Sequence, residues 1–207
     1  HRDKWFKRDE PMPVAISFGH DPAIFLAGSI EIPFGLSEYE WVGGLKGKPV
    51  EVIRGPITGL PIPASAEIAI EGFVNPTEQV IEGPFGEWTG YYASGERDMP
   101  VINVTNVIWR NDPIVLACLP GMPPNDNTYF RSPLRAAMLW DELEKAGVPG
   151  VTGAWSHEAG GGRFFNVISI KQMYPGHAKQ VGHATTSIHA GAYANRYVVV
   201  VDDDIDP

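Results

Sequence analysis

The chain has 207 residues, 43% of them hydrophobic, with 16 Lys and Arg against 25 Asp and Glu, a formal net charge of −9, and a single Cys. That length and apolar content can fill the core of one large or two small domains, which argues against disorder, and the acidic balance leaves no footprint for a nucleic-acid backbone. The lone Cys118 suits a reducing, cytoplasmic setting, and no stretch approaches the ~18 consecutive apolar residues of a membrane span or reads as a leader.

The first half reads as rich in strands and turns. Residues 13–19 predict a short strand, after which Asp21-Pro22 opens a brief helix, with Asp21 as N-cap and Pro22 in the first turn. Ser37 and Glu40 form a capping-box pattern that places Glu38 in the first turn of a second helix. Residues 50–54, 66–74, 100–109 and 114–119 read as further strands separated by Gly/Pro and Asn/Asp turns, which suggests a small barrel or sandwich. Residues 119–127 read as a linker. In the second half Ser132-Pro133 is expected to cap a helix that runs to a Gly147 stop, with Leu134, Met138, Leu139 and Leu143 on one face. Residues 164–170, 176–190 and 197–201 then predict a βαβ-like unit whose last strand is apolar enough for burial on both faces.

Several positions could carry chemistry, and each has a plainer reading beside it. Glu82 and Glu87 bracket Gly83-Pro84-Phe85-Gly86, a segment too glycine-rich for a strand interior and too proline-broken for a helix. Both acids are therefore expected on a shaped loop walled by aromatics, where two neighbouring carboxyls differ in how readily they hold a proton. That arrangement suits proton delivery to a carbanion, and equally suits a solvated turn. Glu38 could ligate a hard cation such as Mg²⁺ or Mn²⁺, or simply favour the helix dipole. The acidic run 202–206 could hold a metal at a strand end or stay solvated. His177, His183 and His189 recur every six residues, which on a helix scatters them around the axis; they read as separate surface or interface histidines. Gly160-Gly161-Gly162 lacks the context of a phosphate loop and reads as a turn.

Five blocks, 36–41, 62–72, 81–92, 170–179 and 201–206, occur in the order found in the UbiD family of reversible decarboxylases, and in wording are most similar to members acting on phenolic acids. The resemblance implies prenylated FMN as cofactor and an aromatic or α,β-unsaturated carboxylic acid as substrate. It implies that Glu87 donates the proton to the carbon left by CO₂ and that Glu82 pairs with an arginine beside the flavin. Glu38 would bind the Mn²⁺ or Mg²⁺ that holds the cofactor phosphate, the carbonyls of Ala27, Gly28 and Ile30 would bind K⁺ or Na⁺, and Lys179 would approach the phosphate. It further implies a flavin prenyltransferase as cofactor supplier and a homo-oligomer.

As a fold, the resemblance implies a mixed α+β chain. Part of a split β-barrel of flavin-reductase type, incomplete at its N-terminus, would occupy residues 1–120, a linker and helix 121–148, and the start of an α/β oligomerisation domain 149–207. Family members run to more than twice this length, and the chain begins with His1 rather than Met, so an internal segment is expected that is inactive alone. The alternative is a non-catalytic structural or partner subunit that keeps the barrel and assembly domain. An ordinary flavin reductase finds no dinucleotide fingerprint here.

Overall fold

Alternating apolar residues at 12–18 and 68–74 create the pleated faces of the first sheet. The computed structural model describes residues 2–119 and 121–207. It contains in order α1 (Arg2–Phe6), β1 (Met12–Phe18), α2 (Pro22–Ser29), α3 (Glu38–Lys46), β2 (Val52–Arg54), β3 (Pro61–Pro63), β4 (Ile68–Glu82) and β5 (Arg97–Trp109). After these come α4 (Asp126–Lys145), β6 (Val151–Ser156), a 3-10 turn at Glu158–Gly160, β7 (Phe165–Ile170), α5 (His177–Ser187), α6 (His189–Ala192) and β8 (Tyr197–Asp202). No helix among the described residues is long and apolar enough to cross a membrane.

The chain divides into two compact units. One holds residues up to Ala27, Leu36–Phe85 and Tyr92–Ala117; the other holds Gly28–Gly35, Gly86–Tyr91 and everything from Cys118. His1 and Pro120, at the start of the expected barrel segment and in the expected linker, lie outside the described residues.

In the first unit β1, β4 and β5 form an antiparallel sheet in that spatial order, with Ile16 opposite Ile70 and Ile70 opposite Val107. β2 and β3 form a separate two-stranded ribbon. The expected strands thus lie in two open sheets, and the described residues close no barrel. Residues 114–119 are irregular backbone, not a strand. Ile114, Leu116 and Leu119 are largely exposed there, and the run pairs with no strand among the described residues.

The ends of the first two long helices follow the predicted caps. Asp21 Oδ1 accepts from the Ala23 N–H at 2.9 Å, and Ser37 and Glu40 form the capping box that starts α3. One charged residue is central to this unit. Glu71 is fully buried on β4; its carboxylate accepts from the Thr58 N–H (2.9 Å), the Thr58 hydroxyl (2.7 Å) and Asn106 Nδ2 (2.9 Å). Burial pushes the Glu71 carboxyl up, but these hydrogen bonds and one from the Ile57 N–H outweigh it and hold its pKa below the ordinary value. Glu71 thereby anchors the turn after β2.

In the second unit β6 and β7 are antiparallel, and β7 and β8 are parallel, joined by α5 and α6 as the βαβ reading expects. Leu143, Val148, Ile168, Ile170 and Val181 form its buried cluster. Strand β8 is not buried on both faces. Among the described residues it pairs only with β7, and Tyr197 is 69% and Val199 41% exposed, as on an edge strand. Helix α4 starts well before Ser132. Asn125 and Thr128 cap each other reciprocally, and Pro133 sits inside the helix, where it lacks the N–H for one backbone bond. Gly147, at φ +76°, follows the helix end as expected.

His177 is a core residue, not a surface one. It is fully buried, its Nδ1 accepts from the Met173 N–H (3.3 Å), its Nε2 contacts the Pro149 carbonyl at 2.9 Å, and its ring stacks on Tyr174. His183 and His189 are exposed, as read.

Candidate active site

Glu87 lies in a turn of the second unit that the backbone closes on itself. Its N–H donates to the Tyr91 carbonyl at 3.0 Å, and its carbonyl accepts from the Gly90 N–H at 2.9 Å. Gly90 has φ +87°, and a Cβ there would fall 2.6 Å from Met122 Cβ, so the turn needs glycine at this corner. The Glu87 residue is half-buried.

The next residue, Trp88, fastens this turn. Its ring centroid lies 4.9 Å from that of Phe164, and the guanidinium groups of Arg131 and Arg163 lie 5.9 and 5.8 Å from its ring. A Cβ on Gly161 would collide with the Trp88 ring, so the glycine turn provides the space the indole fills. Arg163 in turn donates to Glu31 Oε1 (2.6 Å) and to the Ser29 carbonyl (2.7 Å), while Arg135 pairs with Glu31 Oε2 and donates to the Tyr193 carbonyl at 2.9 Å. Burial pushes the Glu31 carboxyl up, but Arg135 and Arg163 together hold it below its ordinary value. Arg131 is only 9% exposed, and burial together with the Arg163 charge lowers its pKa to about 10.

The expected site residues fall as follows. Glu82 is the final residue of β4, opposite Arg97 in the strand register, and so ends a strand instead of lying on the loop. It belongs to the first unit and Glu87 to the second. Glu38 is exposed in the first turn of α3 and makes no hydrogen bond to a described residue. Burial, with the Glu38 charge beside it, pushes the Tyr39 phenol up. Ala27 is buried in α2, Gly28 is exposed, Ile30 is half-buried, and between them the Ser29 carbonyl is turned to Arg163. Lys179 is exposed on α5. No three His, Cys, Asp or Glu residues among those described are grouped to hold a metal. A 290 Å³ cavity beside α3, lined in part by the Asp21–Lys46 ion pair and Lys48, includes none of the expected residues.

Sequence reasoning missed Glu31, Arg131, Arg135 and Arg163. Arg131 and Arg135 lie four residues apart, hence on one helix face, a signal hidden by starting the helix at Ser132. Arg163 follows the glycine run that was read only as a turn.

The chain matches the UbiD family, described as 3-octaprenyl-4-hydroxybenzoate carboxy-lyase, over residues 1–123 (Rift-related domain) and 128–207 (C-terminal domain). It belongs to that family. It is 36% identical over 210 aligned positions to the phenolic acid decarboxylases of Streptomyces sp. (strain D7) and Escherichia coli O157:H7; all of this chain is covered but only 43% of each of those proteins. Its structure is similar to an evolved dimeric form of the UbiD-class enzyme HmfF from Pelotomaculum thermopropionicum in complex with prFMN. That match has a TM-score of 0.87 and 30% identity, and covers 99% of this chain and 46% of that one. The expected mixed α+β fold is the one these enzymes share.

Proposed function

We propose that these 207 residues serve a prenylated-FMN-dependent decarboxylase that acts on a phenolic or α,β-unsaturated carboxylic acid, with Glu87 as proton donor. One observation carries this reading: the turn bearing Glu87 is closed by its own hydrogen bonds and pinned through Trp88 to Phe164, Gly161 and two buried arginines. A group that must return a proton to one carbon needs a fixed position. Family membership and the phenolic acid decarboxylase relatives give the substrate class its support.

The donor chemistry of the chain fits the cofactor. The Glu38 carboxylate, unpaired with any described residue, suits one coordination position of Mn²⁺ or Mg²⁺, and the exposed Lys179 ammonium suits a phosphate as a point charge. The carbonyls of Ala27, Gly28 and Ile30, at and just beyond the end of α2, suit K⁺ or Na⁺. When bound, prenylated FMN supplies the electron sink for breaking the bond to CO₂. Glu87 then holds the proton destined for the carbon, and Glu82 orients an arginine toward the flavin.

The proposal extends to a split barrel over residues 1–120, a linker and helix over 121–148 and an assembly domain over 149–207, and to a cytoplasmic homo-oligomer supplied by a flavin prenyltransferase. The test is direct. The protein that carries these residues, supplied with prenylated FMN, Mn²⁺ and K⁺, is expected to release CO₂ from a panel of hydroxybenzoic and cinnamic acids; no release from any of them would overturn the reading.

A further inference from the structure

Arg163 connects two segments that lie far apart in sequence. Both of its terminal nitrogens are engaged on residues 29–31, Nη1 with Glu31 Oε1 at 2.6 Å and Nη2 with the Ser29 carbonyl at 2.7 Å. The same guanidinium stands 5.8 Å from the Trp88 ring and 5.0 Å from the Tyr193 ring. Trp88 is covalently next to Glu87, so whatever fixes its indole fixes the start of the Glu87 turn. Arg163 is itself largely buried.

The glycine run before it makes this placement possible. Gly161 and Gly162 have φ +67° and +66°, a left-handed backbone that turns the chain into β7. A Cβ at Gly161 would strike Trp88, and one at Gly162 would lie 3.0 Å from Ser132 Oγ on α4. The backbone of Arg163 is thus delivered against both the indole and α4. Arg135 supports the arrangement through the other oxygen of Glu31 and through the Tyr193 carbonyl.

We infer that Arg163 is a positioning residue whose single guanidinium locks the Glu87 turn to the 28–31 segment, so that the proton donor and the carbonyls beside the monovalent cation are set by one group. The catalytic meaning of this lock rests on the function proposed above; the lock itself does not. A lysine cannot replace it, because an ammonium lacks the planar fork that contacts two oxygens while stacking on an aromatic face.

Hydrogen–deuterium exchange on the protein that carries these residues tests it. In Arg163→Gln, amides of 28–31 and 86–91 are expected to exchange together about tenfold faster, the scale of a lost charge-assisted hydrogen bond, while β7 and α5 stay protected. With 5-fluorotryptophan incorporated, the Trp88 resonance, identified by its loss in Trp88→Phe, is expected to move in Arg163→Lys as well as in Arg163→Gln. Wild-type exchange in either segment, equal loosening of β7 and α5, or an unmoved Trp88 resonance in Arg163→Lys would overturn the inference. If Arg163→Gln does not fold, Arg163→Lys carries both readouts. None of these measurements depends on turnover, so a failed lock and a failed decarboxylase assignment are separate results.

Discussion

Glu71 and Gly161 show how single residues set the local structure around them. The Glu71 carboxylate is the acceptor for two backbone amides, a hydroxyl and a side-chain amide, so Glu71→Ala strands these donors in a buried site. That change is expected to cost about 3 kcal/mol, read as a lower urea midpoint. Because the folded-state pKa lies below the ordinary value, the unfolded chain takes up the proton first as pH falls. The stability Glu71 contributes is therefore full above the usual glutamate pKa of about 4.3 and is lost as pH falls through the lower folded value. Glu71→Gln should flatten the acid limb of the stability curve; an unchanged limb would contradict this. At Gly161 both constraints act together, a positive φ and the Trp88 ring in the way of a Cβ. Gly161→Ala is expected to destabilise the chain by about 2 kcal/mol or more in the same urea assay and to alter Trp88 fluorescence relative to a Trp88→Phe reference.

At the level of elements, capping was the most legible feature of the sequence and long-range pairing the least. The Ser37–Glu40 box and the Gly147 stop depend on residues within a turn of one another, and both stand where the pattern put them. Helix α4 was misread because Ser132-Pro133 imitates a helix start, whereas the Asn125–Thr128 cap makes the same bonds earlier. Residues 114–119 have strand composition but pair with no strand, and β8 has the composition of a central strand yet lies at the edge of its sheet among the described residues; neither fact is local. His177 could not be placed from its spacing, since burial depends on the Pro149 carbonyl and Tyr174 ring that meet it. The apolar face of α4 was read correctly at Leu139 and Leu143, and Leu143 packs in the cluster with Ile168, Ile170 and Val181. Leu143→Ala is expected to cost about 3 kcal/mol, with calorimetry or urea unfolding as the check.

For the whole molecule, family membership was carried by five short blocks spread along the sequence, while the buried network around Trp88 was invisible because its partners come from residues 29–31, 88, 131–135, 163–164 and 193. The chain spans 43% of the length of its phenolic acid decarboxylase relatives. The part proposed for it in catalysis is a proton donor, Glu87, on a turn closed by its own hydrogen bonds. The decisive measurement is the decarboxylation rate of Glu87→Gln in the protein that carries these residues, loaded with prenylated FMN. Decarboxylation is expected to fall by at least ~10²-fold, the scale of general-acid catalysis, while flavin binding is retained; decarboxylation at the wild-type rate would show that Glu87 is not the proton donor.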